Sequence, residues 1–417
     1  MGRTERKRKR KHYIEKLDSD PAIIALKKWL KSNNWMNDTK LTLKNFPNTG
    51  RGVASLNNFK NNDIIICVPF HLMITLNTVL NSNILKHILF SQTEINLCQI
   101  KMQDLLSLFL ITHKNDSVWK SYINSLPDEP PPLPWLCDEE DLKMVPNDIQ
   151  NILKKYIEIC DESYQRLKQI LKNDIEIEFK EFRWAYCMVN SRAVFVNPQI
   201  ILSLTKYKSN ILLDDPSMAL CPYLDMFNHD FEAGTEAELV EVNGKYFYSL
   251  KTLFDYKKNE QVFISYGPHD NLKLLMEYGF FIPGNKFDVV KFSFSEVTEV
   301  LQLVLDGRQY KFVKEHGLTE ELYIGYSGIS FNLKGLIFVG QNCQLKNYNC
   351  IIYSDSYPDD FSTSLRRFRN VLLEFKLSMF ERDMLNFNCM LIKNVYIKNL
   401  EDYLRYRISF IKELIKK

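Results

Sequence analysis

Asp225, Asn228 and His229 sit in the stretch Cys221-Pro-Tyr-Leu-Asp-Met-Phe-Asn-His-Asp230. Tyr266 follows in Phe263-Ile-Ser-Tyr-Gly-Pro-His-Asp-Asn271, and Tyr278 in Glu277-Tyr-Gly-Phe280. Polar and aromatic groups so close together suit a small, positively charged, adenine-bearing ligand: aromatic faces attract cations, and amides and carboxylates bind polar edges. Each piece also has a plainer reading. A lone Asn-His pair is more often a hydrogen-bonded turn, and tyrosines are often ordinary core aromatics.

Other chemistries find less support. The turn Gly50-Arg-Gly52 leads into a strand, whereas a phosphate cradle needs the N-terminus of a helix. A glycine pair there lets backbone approach a ligand closely, with Arg51 offering planar donors; a tight turn with a solvated arginine is the default. There is no second histidine at metal-ligand spacing, no G-x-S-x-G elbow and no Walker loop. The nine cysteines include no C-x-x-C pair, so no metal site is expected. Their odd count speaks for reduced thiols.

The elements that must position these residues are readable in part. Asp20 and Pro21 form a helix start, followed by apolar Ile23, Leu26, Trp29 and Leu30 on one face. Asn48–Ala54 reads as a turn feeding a strand, and Ile64–Val68 as a second strand stopped by Pro69. From Leu72 to Ile175 the pattern is mostly helical, interrupted by the proline-rich Leu126–Trp135. That segment admits a P-x-x-P ligand reading. Its bounding Trp119, Tyr122, Trp135 and Leu136 point instead to a stiff loop pinned into a core. A helix is expected around Glu181–Val189. Ala237–Val242 and Lys245–Leu250 flank Asn243-Gly244, a two-residue hairpin signal. Gln261–Ser265 is a buried strand running into Tyr266, and Asn228-His229 stands at the end of an apolar strand. Beyond Ser295 the chain reads as mainly helical, ending in Glu401–Ile415. Arg366-Arg-Phe-Arg369, Tyr403, Arg405 and Tyr406 suit a protein-docking face there, as they would suit a solvated helix surface.

The 417 residues, 45% hydrophobic and 13% aromatic, are ample for two or three packed units and exclude general disorder. No run approaches the ~20 apolar residues of a membrane span, and the charged N-terminus lacks a signal peptide's apolar segment. The expectation is a soluble intracellular protein. A net charge of +3 is too small to mark a nucleic-acid binder. The run Arg6-Lys-Arg-Lys-Arg-Lys11 reads as an import signal or a solubilising tail, which leads to an expected location in nucleus and cytoplasm.

Gly50-Arg-Gly-Val-Ala54, Val189-Asn-Ser-Arg-Ala-Val194, Pro222–His229, Ser265-Tyr-Gly267, Asn271 and Tyr278-Gly-Phe280, taken in order, resemble the SET-domain methyltransferases. The resemblance is to the branch typified by the Rubisco large-subunit methyltransferase, and it covers nearly the whole chain. It implies an α+β protein: a SET-domain β fold with a knotted cofactor site, interrupted by a helical insertion and followed by a helical C-terminal substrate-binding domain. On this chain the parts would be 1–18 as a basic tail, 19–95 and 186–288 as the two portions of the SET domain, 96–185 as the insertion, and 289–417 as the C-terminal domain.

The same resemblance implies S-adenosyl-L-methionine as cofactor, held by Arg51, Gly52, Arg192, Asp225, Asn228, His229, Tyr266 and Tyr278. Asn228-His229 backbone would hold the adenine edge, with Arg51 and Arg192 near the methionine carboxylate. Tyr266 matches the catalytic tyrosine. Asp230 departs from the serine or threonine many relatives carry after Asn-His. The implied partner is a protein substrate, histone or non-histone, bearing a target lysine. A monomer is expected, with neither membrane association nor stable nucleic-acid binding. A protein-histidine methyltransferase and a non-catalytic cofactor- or peptide-binding module are the alternatives. Histidine specificity in one relative is linked to an asparagine two residues after the arginine; Val194, apolar, stands there and favours lysine.

Overall fold

Asp20 opens the first helix, Pro21–Ser32, by accepting a 2.8 Å hydrogen bond from the Ala22 N–H, and Ile23, Leu26 and Leu30 form its buried face. The computed structural model describes residues 20–33, 35, 40–90, 100–171, 176–205, 212–345, 347–387 and 394–417. The basic run Arg6–Lys11, Cys98 and Cys389 lie outside these residues. Contacts divide the chain into two compact units, one up to Pro131 with Ile157–Gly267, the other Pro132–Tyr156 with Pro268–Lys417. Residues 268–288 group by contacts with the C-terminal helices.

In the first unit, strands β1 (Leu41–Phe46) and β2 (Gly50–Ser55) form a hairpin whose return is made by Gly50 at φ 64°. That left-handed conformation favours glycine. β3 (Ile64–Pro69) ends at its proline, as expected from a residue that donates no ladder hydrogen bond. Short β4 (Val194–Phe195) and β5 (Met218–Ala219) pair with each other. β6 is only Asn228–His229. β7 (Thr235–Val242) and β8 (Lys245–Thr252) flank Asn243 and Gly244, both at positive φ, which is the turn their residue types demand. β9 (Gln261–Ile264) enters between β2 and β6, giving a four-stranded sheet in the order β1-β2-β9-β6 with β6 parallel to β9. A second sheet has the order β3-β8-β7.

Helices fill the interval between β3 and β4. Met102–Thr112 is apolar nearly all round, buries Leu105 through Leu110, and packs on Phe179–Arg192. Such a helix belongs inside a core. The proline-rich segment is pinned rather than presented. In the first unit Trp119, Tyr122 and Leu126 are buried, and the Pro127 carbonyl accepts from Trp184 Nε1 at 2.9 Å. In the second, Leu133, Trp135 and Leu136 are buried, and Trp135 Nε1 donates to the Met276 carbonyl at 2.8 Å.

The second unit is mostly helical, its longest helices being Asp359–Phe387 and Val395–Lys416. It also contains a three-stranded sheet that the sequence reading overlooked: β10 (Val289–Phe292), β11 (Leu322–Gly325) and β12 (Gly328–Ile329). These strands are only two to four residues long, and β10 pairs with β11 across two intervening helices, so no periodic stretch announces them. Tyr403 and Tyr406 are a second correction, because they do not form a docking face. Tyr403 is 3% exposed, and Tyr406 stacks on Phe281 and donates to Asp288 Oδ2 at 2.8 Å. Asp288 also meets Arg407 Nη1 at 3.2 Å, a buried ion pair inside this unit.

Candidate active site

The apolar stretch before Asn228 is not a strand. Tyr223 adopts φ 71° and Leu224–Met226 is a single 3₁₀ turn, so the chain reverses and emerges at Phe227 ready to pair. Asn228 and His229 then run parallel to Phe263 and Ile264. This pairing brings Tyr266 to the same place. Its N–H donates to His229 Nδ1 at 3.0 Å, its hydroxyl donates to the Phe227 carbonyl at 2.7 Å, and the two rings stack with centroids 5.0 Å apart. Burial pushes the Tyr266 phenol up to about 12, against a smaller opposing effect of Arg192. The phenol is therefore neutral at ordinary pH.

Gly52 lies against this junction. A Cβ on it would stand 2.5 Å from Asn228 Nδ2 and 2.7 Å from Gln261 Nε2. The glycine is needed for the approach of the Asn228 amide, which donates to the carbonyls of Arg51 at 3.1 Å and Thr49 at 3.3 Å. Asn228 thus uses its side chain to clamp β6 to the β1–β2 turn.

Beside the clamp is a buried charged cluster. Asp225 Oδ2 accepts the Tyr122 hydroxyl at 2.9 Å and faces Arg192 Nη1 at 3.6 Å, while the same Nη1 hydrogen-bonds the Asp225 carbonyl at 2.9 Å. The 3.6 Å contact is an ion pair without a hydrogen bond. Arg51 Nη1 donates to the Ser125 carbonyl at 2.9 Å. Burial raises the Asp225 carboxyl above the usual carboxylate value, opposed chiefly by Arg192, then by Tyr122 and Arg51. The Arg51 guanidinium is lowered by burial and by Arg192. Arg51 Nη2, Arg192 Nε and Asp225 Oδ1 are buried and meet no hydrogen-bond partner among the described residues. Buried polar atoms without partners are costly and point to a missing ligand or water.

Arg51, Gly52, Arg192, Asp225, Asn228, His229 and Tyr266 therefore gather in the first unit. Tyr278 lies in the second. It ends the helix Asn271–Tyr278, which Gly279 terminates at φ 78°, and its ring stands 6.2 Å from His269 and 6.1 Å from Phe280. Sequence reading did not place Tyr122, Ser125 or the Phe227 carbonyl at the site. Phe227 lies inside the motif and was within reach; nothing local marked the other two. No group of three or more His, Cys, Asp or Glu side chains able to hold a metal occurs among the described residues, and no helix among them is long and apolar enough to cross a membrane.

A SET-domain family model matches residues 50–267, just over half of the chain. SET domain-containing protein 4 of Artemia parthenogenetica is 29% identical over 400 residues, covering 92% of this chain and 95% of the relative. The ribosomal lysine N-methyltransferase set11 of Schizosaccharomyces pombe is 23% identical over 305 residues, 73% of this chain and 71% of that protein. Among solved structures, the SET domain of LSMT bound to lysine and AdoHcy superposes with a TM-score of 0.63 at 20% identity, covering 95% of this chain and 90% of that one.

Proposed function

This chain belongs to the SET-domain family, and on that premise we propose that it is an S-adenosylmethionine-dependent protein methyltransferase whose acceptor is a lysine ε-amine. The observation that carries the reading is the meeting of the Tyr266 hydroxyl with the Phe227 carbonyl, 2.7 Å apart, beside the buried Arg51–Asp225–Arg192 cluster. The N–H groups of Arg51 and Arg192 and the Asp225 Oδ1 that meet no partner among the described residues fit the carboxylate and ammonium of an amino-acid moiety such as the cofactor carries. Asn228 and His229, on the edge strand of the sheet, are the residues assigned to the adenine.

When bound, S-adenosylmethionine supplies an electrophilic methyl group on a sulfonium centre. The chain's own task is to orient the acceptor and exclude water. A lysine of pKa about 10.4 costs roughly 4–5 kcal/mol to neutralise at pH 7, and a buried site favours the neutral amine. Tyr266 does not act as the base, because its phenol stays protonated with a value of about 12. Its proton is directed at the Phe227 carbonyl, so the phenol oxygen presents lone pairs to the amine N–H groups. Together the two oxygens align the amine lone pair for in-line attack. Val194, apolar where a histidine-directed relative has asparagine, favours lysine. The C-terminal helical unit is the part proposed to dock the substrate protein.

The test is transfer of a labelled methyl group from S-adenosylmethionine to proteins of a cell extract, histones included, comparing the native chain with Tyr266→Phe. Label on lysine ε-nitrogen that disappears in the variant supports the proposal. Label on imidazole nitrogen overturns the lysine assignment. Donor binding without turnover on any protein overturns the enzyme reading in favour of a binding module.

A further inference from the structure

One short turn of the chain holds two of the three charges in the buried Arg51–Asp225–Arg192 cluster, Asp225 and Arg51, and neither of its anchoring groups belongs to the motifs of the site. Helix Lys120–Ile123 and the residues after it supply Tyr122, fully buried, whose hydroxyl donates to Asp225 Oδ2 at 2.9 Å. Three residues further on, the Ser125 carbonyl accepts from Arg51 Nη1 at 2.9 Å. The turn is self-supporting, since Ser125 Oγ donates back to the Tyr122 carbonyl at 2.6 Å.

We propose that Tyr122 is a positioning residue for the methyl donor, acting through Asp225 to hold Arg192 and Arg51 with their remaining N–H groups directed at a ligand carboxylate. This rests on the methyltransferase reading for the identity of the ligand, but the Tyr122–Asp225 linkage can be measured without it. Asp225 has two carboxylate oxygens and a shortage of partners. Oδ2 takes the Tyr122 hydroxyl and the distant Arg192 contact, while Oδ1 meets no described partner. Without Tyr122 the carboxylate would have no short side-chain hydrogen bond and would be free to rotate about its own χ2. Among the described residues Arg192 would then keep only the Asp225 carbonyl as a fixed partner, and the spacing of the two guanidinium groups would relax.

The charged and titratable groups facing Asp225 are Arg192, Arg51, Tyr122, Cys221 and Tyr266. Tyr122 is among those that lower the Asp225 value against the pull of burial. Removing its hydroxyl moves that carboxyl further up, so the carboxylate is lost at a higher pH.

Tyr122→Phe in the full chain removes one oxygen atom and keeps the buried ring. Two measurements apply. Carboxyl ¹³C titration of aspartate-labelled, donor-free protein follows Asp225, and calorimetry follows S-adenosylhomocysteine binding between pH 5.5 and 9. Expected are an Asp225 titration displaced to higher pH in the variant, and binding about five- to thirty-fold weaker near neutrality with the gap widening as pH falls. An unchanged Asp225 titration overturns the linkage whatever the ligand proves to be. A shifted titration with native affinity overturns the positioning role, and so does a loss of affinity equal at every pH alongside a lowered melting temperature. If the native chain binds no S-adenosylhomocysteine, the methyltransferase reading fails and the ligand assignment with it, while the titration arm still decides whether Tyr122 holds Asp225.

Discussion

Tyr266 and Phe227 are joined by a 2.7 Å hydrogen bond from phenol to backbone carbonyl, across 39 positions of sequence. The bond fixes the direction of the phenol proton and thereby of the oxygen lone pairs. A tyrosine free in a pocket would have to pay that ordering entropy during each turnover.

Tyr266→Phe removes those lone pairs while leaving the ring that stacks on His229. Turnover should fall by about a hundredfold or more, in the range found when one preorganised polar group is removed from an active site. Donor affinity should change by no more than a few-fold. Single-turnover methyl transfer and calorimetric binding separate the two quantities, and near-native turnover would refute the role.

The pH behaviour of the same residue follows from its raised value of about 12. A phenol near 10 when unfolded and higher when folded favours the fold while protonated. That contribution is complete below pH 10 and is lost as pH rises through about 12. Methyl transfer should accordingly climb between pH 7 and 10 as the substrate amine loses its proton, with no decline assignable to Tyr266. A spectroscopic phenolate titration of native and Tyr266→Phe protein, run beside the pH–rate profile, would expose an early ionisation if one exists.

Gly52→Ala places a methyl group 2.5 Å from Asn228 Nδ2. The clamp must open, at a cost of about 1–3 kcal/mol from overpacking and lost hydrogen bonds. Asn228→Ala removes the nearer of the two obstructing amides, Gln261 Nε2 at 2.7 Å being the other, so the double variant should lose less than the two single losses added together. Thermal melts of all four proteins give the coupling; strict additivity would mean that Gly52 is not held by Asn228.

His113 offers a stability test remote from the chemistry. Its Nδ1 faces the Phe109 carbonyl at 3.0 Å and its Nε2 the Ser82 hydroxyl at 2.7 Å, and burial lowers its value from 6.5. The folded chain keeps this ring neutral, whereas the unfolded chain protonates it near 6.5. Stability should therefore be full above that pH and drain away below it. His113→Gln should flatten the acid limb of a melting-temperature profile, and an unaltered limb would assign the loss elsewhere.

The Asp288–Arg407 pair tests the second unit. Arg407→Met removes the cation facing a carboxylate that is 1% exposed, leaving its charge to hydrogen bonds from Tyr406, Asn271 and Val289, and should destabilise by about 3–5 kcal/mol. Adding Asp288→Asn removes that charge and should recover part of the loss. Denaturant unfolding followed by circular dichroism measures both, and a double variant weaker than Arg407→Met would contradict the charge argument.

Local chemistry by itself determined much of this protein. The Asp20-Pro21 helix start, the Asn243-Gly244 hairpin and the strand ending at Pro69 are each settled by dihedral preference and missing or added hydrogen-bond groups within a few residues. Asp225, Asn228, His229, Tyr266 and Tyr278 could likewise be picked out, because a chemically dense segment is visible in one dimension, whereas Arg51, Gly52 and Arg192 were marked only by the resemblance of the whole motif set. What each of them touches was decided only by the tertiary structure. Asn228 meets Arg51 across 177 positions, Tyr122 meets Asp225 across 103, and Arg51 meets Ser125 across 74. Such bonds follow from the packing of whole sheets and helices, which carries no local periodicity. For the same reason Tyr122 looked like any core aromatic, and Tyr403 and Tyr406 looked like surface until the fold turned them inward.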